Sequence, residues 1–229
     1  MKRSEINQII RTMEQVIAVN GAHLPAFASW TEAEWQVAGS EADEIRDNAL
    51  GWDITDYGLG RFYEWGLALF TLRNGNVRMA ERYPKPYAEK FLMMFPGQQM
   101  CFHYHWSKME DIINRGGNDL VVQVYNGAPD RSRLDTPVSV SIDGVRRTVP
   151  AGTELTLHPG ESLTVTPYLY HLFRVPAGGD PLLIGEVSMC NDDEHDNCFL
   201  DDCIGRFPAI EEDAAPYRLL CTEYPRASS

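Results

Sequence analysis

The chain has 229 residues, 44% apolar and 23% charged, with 33 acidic against 20 basic residues and a formal charge of −13. That composition is globular and supplies one large core, while the negative field repels phosphate backbones and anionic lipid, so neither nucleic acid nor a membrane is an expected partner. There is no apolar run of about 18 residues that would read as a membrane span, no signal peptide is predicted, and the five cysteines, odd in number and without a C-x-x-C pair, fit neither a disulfide framework nor a thiolate zinc site. A soluble protein of a reducing cytoplasm is expected.

Ile6, Ile9, Ile10, Met13, Val16 and Ile17 recur at helical spacing behind Ser4, a suitable N-cap, which predicts a helix over 4–19. Thr31-Glu32-Ala33-Glu34 has the spacing of a capping box, so a second helix is expected to begin there. Residues 1–60 thus read as a helical N-terminal extension, and Trp30, Trp35 and Trp52, read as exposed aromatics near it, suggest an interface and a homodimer.

From about residue 61 short apolar runs alternate with Asn74-Gly75, Pro96-Gly97, Asn126-Gly127, Asp143-Gly144 and Pro159-Gly160. This is the rhythm of a β-sandwich or barrel. The expected strands are 61–73, 87–95, 98–106, 119–125, 137–142, 145–149, 154–157, 162–166, 170–175 and 182–189. The acidic run NDDEHDNCFLDD after residue 190 reads as a long loop. With no repeat or flexible linker, residues 1–229 are expected to be one domain, all-β dominated, with the β part over 61–229.

The stretch MCFHYHWSKMED carries His103 and His105 one residue apart. In a strand over 98–106, Gln99, Cys101, His103 and His105 share one side, while Phe102, Tyr104 and Trp106 take the other. Residues i and i+2 lie about 6.5 to 7 Å apart along a strand, a span that two rings can close around a metal about 2.0 to 2.1 Å from each nitrogen. Glu110, just past the strand, can turn back to add an oxygen. His171, inside the apolar run TPYLYHLFRV, is the expected fourth ligand, whereas His23, His158 and His195 sit beside turns. The competing readings are an exposed polar strand face for the pair and a satisfied core histidine for His171.

The wider spacing favours the metal. Gly97, five residues, His103-x-His105, four residues, Glu110, six residues and Gly117 resembles the first signature of the cupin superfamily at every position. Gly160, Pro167 and His171 resemble the second, although Gly160 to Pro167 is one residue longer, Leu169 stands where Gly is usual and Val175 replaces Asn. The strings HYHWSKMEDIINRGG, GEVSMCNDDEHDN and RLLCTEY are similar to D-lyxose ketol-isomerases, a cupin family. That resemblance implies a double-stranded β-helix or jelly roll, a divalent metal, Mn(II), and a monosaccharide substrate, with D-lyxose and D-xylulose, or D-mannose and D-fructose, interconverted.

An isomerase needs a base to move a proton between C1 and C2. Glu186, the one ionisable group in the apolar run PLLIGEVSM, is the candidate; its alternative role is a structural partner to an arginine. Lys90, a similar intrusion in YAEKFLMMF, could hydrogen-bond or protonate a substrate oxygen, or be a lysine at a strand edge. Gln99, on the histidine face, and Lys108, Asp196 and Arg218, within the isomerase-like strings, are the expected sugar contacts. A metal-dependent dioxygenase and a non-catalytic sugar-binding cupin are the rival functions.

Overall fold

The structure, a computed structural model, describes residues 1–192, 195–200 and 209–227. Its first element follows the helical periodicity: α1 (Arg3–Val19) buries Ile6, Ile9, Ile10, Met13, Val16 and Ile17 as one stripe. The helix begins earlier than expected, with Lys2 and not Ser4 at the N-cap. Ser4 instead gives its main-chain N–H and its hydroxyl to Asp213, at 2.9 and 2.7 Å. Arg3 is buried and donates to Glu212 and Glu223, tying the helix start to the C-terminal segment. The hydrogen bond to Glu212 leads a set of contacts that raise the Arg3 guanidinium above its ordinary range against the effect of burial.

The expected capping box is present, with Thr31 and Glu34 bonded reciprocally at the start of α2 (Glu32–Val37). That helix and α3 (Asp43–Asp47) are short. The aromatics beside them are not exposed as expected. Trp35 stacks on Tyr224 with ring centroids 3.8 Å apart, and Trp52 donates its indole N–H to Ala28 O at 2.9 Å and meets Phe70 edge-on. Trp35 and Trp52 are both buried within the chain and Trp30 is half-buried, so the feature that suggested a homodimer is internal packing.

The strands are β1 (Gly51–Thr55), β2 (Leu67–Arg73), β3 (Tyr87–Met94), β4 (His103–His105), β5 (Glu110–Gly116), β6 (Leu120–Gly127) and β7 (Arg133–Leu134), then β8 (Val138–Ile142), β9 (Val145–Val149), β10 (Glu154–Leu157), β11 (Ser162–Val165), β12 (Leu169–Arg174), β13 (Leu182–Met189) and β14 (Asn197–Phe199). They form two antiparallel sheets, one in the order β1-β2-β3-β13-β5-β11-β8-β9 and the other β10-β6-β12-β4-β14 with β7 beside β6. This is the mostly-β, curled half-barrel that the sequence predicts. Four strands depart from expectation. β1 lies inside the stretch read as helical, β5 and the two-residue β7 fall between the expected strands, and β14 lies in the acidic run read as loop. The expected strand 98–106 shrinks to His103–His105, with Gln99 making only isolated bridges to Trp65 and Arg174.

Alternation decides what each face of the larger sheet does. Trp52, Ile54, Ala68, Phe70, Met93 and Leu183 point outward under the α1 stripe. Their neighbours Leu67, Leu92, Met94, Leu182 and Ile184 point inward and join Ile112, Val122, Val124, Leu163 and Phe173 in the core between the sheets. Cys101 lies in that core, and Cys190, Cys198 and Cys221 are free thiols. No helix among the described residues is long and apolar enough to cross a membrane.

Because α1 is held to the sheet by its buried stripe, Ile9→Ala, at a fully buried position, should cost about 2 to 5 kcal/mol in denaturant unfolding. A loss below about 0.5 kcal/mol would show that the helix contributes little to the fold.

Candidate metal centre and active-site cavity

Two turns that favour glycine frame the first histidine segment. Gly97, at φ +82°, turns the chain after β3, and Gly117, at φ +103°, follows β5 where a Cβ would come within 2.1 Å of Pro181 O. Between them β4 places His103 and His105 on the side facing the larger sheet, while Tyr104 packs outward with Tyr170 and Cys198. β12 brings His171 directly opposite His103 in register. The turn before it departs from the glycine pattern: Tyr168 itself takes φ +61°, its N–H bonded to His105 O at 3.0 Å, and Leu169 is free to join the core.

One ring nitrogen from each of His103, His105 and His171 lies within 4.8 Å of the others, and all three rings are buried. Two of the tautomers follow from the backbone. His103 Nδ1 faces Cys101 O at 3.1 Å and His171 Nδ1 faces Leu169 O at 2.9 Å. A carbonyl only accepts, so each Nδ1 carries the proton and each Nε2 keeps its lone pair. This is the arrangement that orients imidazoles toward a metal. His171 Nε2 makes no hydrogen bond although it is buried, a costly state unless a cation meets it.

Glu110 reaches the same point from the other sheet. As the first residue of β5 it shares the inward face with Ile112 and Asn114, and its Oε1 lies 3.3 Å from His105 Nε2 and 3.5 Å from His171 Nε2. The three imidazoles are grouped closely enough to hold a metal ion, and the Glu110 carboxylate stands against two of them.

Beside this cluster the larger sheet contributes a row of alternating charge. Lys90 and Glu186 are register partners on β3 and β13, with Lys90 Nζ 3.1 Å from Glu186 Oε1. Lys108, in the β4–β5 loop, approaches the same Oε1 at 3.2 Å and Glu110 Oε2 at 2.7 Å. All four side chains are at least nine-tenths buried. The Glu186 carboxylate is thus partnered by two lysines and not by the arginine weighed as its alternative. Both lysine contacts fall on its Oε1.

The cavity is lined by these ionisable groups, by Tyr57, Leu67, Met100, Phe173 and Phe199, and by Asp53, Thr55 and Asn197. Lys90 and Lys108 line it as the sequence suggested; three other expectations need correction. Gln99 is not a lining residue; it is held by main-chain bonds with Glu64 and Gly66. Asp196 clamps the β4–β5 loop, accepting from the main chain of Ser107 and Lys108 and from the Ser107 hydroxyl at 2.6 to 3.0 Å. Arg218 lies against α1, bonded to Glu14 and Ser29 O, because the C-terminal segment runs along the outer side of the larger sheet. Asp193, Glu194, Asp201 and Asp202 of the acidic run, and Cys203, lie outside the described residues. Sequence reasoning missed Asn191, whose Oδ1 accepts from Lys90 Nζ at 2.7 Å; its only sequence signal was a place at the end of an apolar strand.

Burial, followed by the nearby His171 and His105, holds the His103 imidazole well below its usual range. Burial is also the main cause that lowers His171, to about 4. Burial alone would raise Glu110, but the Lys108 ammonium and His105 outweigh it and hold the carboxyl well below its ordinary value. Glu110 is therefore a carboxylate, and the His103 and His171 rings are neutral, at pH 7.

A sign follows for the metal-free protein. Between the unfolded histidine value of about 6.5 and the folded values, the unfolded chain binds more protons. This part of the stability is fully present above pH about 6.5 and is lost as pH falls toward about 4. The chelator-treated protein should melt at a constant temperature from pH 8 to 7 and progressively lower from about 6.5 to 5. A His103→Gln/His171→Gln double variant should lose less over that interval, and equal slopes would contradict the assignment.

With the geometry in place, the chain can be set beside known proteins. A family model described as D-lyxose isomerase matches residues 1–224. The D-lyxose/D-mannose isomerase of Escherichia coli O157:H7 is 44% identical over 225 residues, 98% of each chain. The protein of the same name from Serratia proteamaculans is 44% identical over 227 residues, 99% of each chain. Among solved structures, ligand-free L-ribose isomerase of Cellulomonas parahominis superposes with a TM-score of 0.60 at 16% identity, over 92% of this chain and 98% of that one, a likeness of fold. The matches in sequence run nearly end to end, and this chain belongs to the D-lyxose isomerase family.

Proposed function

We propose that this chain is an aldose–ketose isomerase that interconverts D-lyxose and D-xylulose, and D-mannose and D-fructose. The observation that carries the reading is the meeting of two sets of groups in one cavity. His103 and His105 line it as two members of a three-histidine cluster that His171 completes behind the wall, and Glu110, Lys108, Glu186 and Lys90 line it beside them. The relatives that share 44% of the sequence are named for D-lyxose and D-mannose, which supplies the substrate class.

The four donors would hold one divalent ion, and Mn(II) is the ion that the family resemblance implies. Bound there, it would supply Lewis-acid polarisation of the sugar carbonyl. The rest falls to the chain. Two ammonium groups engage Glu186 Oε1, which leaves Oε2 as the oxygen that takes the proton from C2 of the open-chain aldose and returns it to C1. The hydroxyl proton must at the same time pass from O2 to O1. Lys108, between Glu110 and Glu186, is placed to donate at O1 and recover a proton from O2, and Lys90 fixes the far side of the base. Tyr57, Met100, Phe173 and Phe199 keep bulk water from the carbanion. An oxygen-activating cupin or a sugar-binding cupin has no use for a second buried carboxylate held by paired lysines, and this favours the isomerase.

Incubating the protein with D-lyxose or D-mannose and Mn(II) should yield ketose. Glu186→Gln should retain the fold and bound metal but lose about 10² to 10⁴-fold in turnover. In D2O the ketose should carry deuterium at C1. Full turnover in the glutamine variant would remove Glu186 from the mechanism.

A further inference from the structure

A buried polar ladder leads to the two lysines from outside the cavity. Asn48, the C-cap residue of α3, donates its side-chain amide to Asn74 O at 3.1 Å, and Asn74 returns a bond to Asn48 O at 3.3 Å. The Asn74 side chain then grips the main chain of residue 191 from both sides. Its Oδ1 accepts from Asn191 N at 2.9 Å and its Nδ2 donates to Asn191 O at 3.3 Å. Asn48 and Asn74 are buried, so these bonds are not in exchange with bulk water.

The end of the ladder is the Asn191 side chain. Its Oδ1 accepts from Lys90 Nζ at 2.7 Å and from Lys108 Nζ at 3.4 Å, the same two ammonium groups that meet at Glu186 Oε1. Asn191 does not line the cavity. A lysine carries three donors on a freely turning stem, so one acceptor does not fix its direction. Further acceptors narrow it: Asn191 joins Glu186 at Lys90, and joins Glu186 and Glu110 at Lys108.

We propose that Asn191 is a positioning residue: its side-chain carbonyl, carried on a main chain that Asn74 holds, aims Lys90 and Lys108 at one oxygen of Glu186 and thereby keeps the other oxygen open to substrate. The inference rests on the isomerase reading for its kinetic consequence, but the geometry has a readout of its own. The chain contains four lysines, Lys2, Lys85, Lys90 and Lys108, so ammonium signals of 15N-lysine-labelled protein are few enough to assign.

With a diamagnetic divalent ion present, the parent should show slowly exchanging ammonium protons for Lys90 and Lys108. Asn191→Leu, which keeps volume but removes the acceptor, should abolish or shift the Lys90 signal. Asn191→Asp, which keeps an acceptor, should restore it. In the isomerase assay the leucine variant should lose about 10 to 100-fold in kcat, with KM changed less than about threefold and metal content unchanged, and the aspartate variant should recover most of the loss. Unaltered Lys90 signals in the leucine variant, or an aspartate variant as impaired as the leucine variant, would overturn the proposal. Should Asn191→Leu fail to fold, Asn74→Ser, which releases residue 191 without altering its side chain, must produce the same Lys90 change or the proposal fails. A parent without isomerase activity would sink the functional reading alone, because the ammonium spectra would still decide whether Asn191 directs the lysines.

Discussion

Everything in the interior of this protein is arranged around a run of charge that water does not solvate: Lys90, Glu186, Lys108 and Glu110, each touching the next at 2.7 to 3.2 Å. A single buried ion of this kind would cost several kcal/mol, and removing any member strands its neighbour. The row is tolerable because it balances, two ammonium groups against two carboxylates. It also cannot be built from one segment. Lys90 and Glu186 come from paired strands of the larger sheet, Lys108 from a loop clamped by Asp196, and Glu110 from the strand that follows. The sandwich must close with its strands in register for the charges to meet.

The histidines obey the same constraint from the other side. A one-residue slip of β4 or β12 would send His103, His105 or His171 to the face of the aromatic cluster of Tyr104 and Tyr170, away from Glu110. In register, backbone carbonyls take the Nδ1 protons of His103 and His171, and His171 turns its Nε2 toward Glu110. The donor set and the charged row share Glu110, so cation affinity and the placement of Lys108 are one property seen twice.

Much of this was legible in the sequence. Period-two spacing placed His103 and His105 together, and the intrusion of Lys90 and Glu186 into apolar runs marked them as inward-facing. The same reasoning failed where polar residues are buried with distant partners. The segment of β5 is absent from the expected strands, yet it pairs in the larger sheet and its Asn114 is buried and donates to Leu157 O and Asn118 O. Asn74 reads as the first residue of a turn dipeptide and Asn191 as the start of a loop, since partners 26 and 117 positions away leave no local pattern. Arg218 and Asp196 were misplaced by adjacency: they sit in family-like strings, but those strings serve the α1 interface and the β4–β5 loop.

The central claim is that two sheets deliver four donors to one point, with the lysine-bound carboxylate facing it. Anomalous diffraction from crystals grown with Mn(II) tests this directly. A single strong peak within bonding distance of His103, His105, Glu110 and His171, on the cavity side facing Glu186, is the result the account predicts. A peak elsewhere, or one bonded to the histidines with Glu110 turned away toward Lys108, would contradict it.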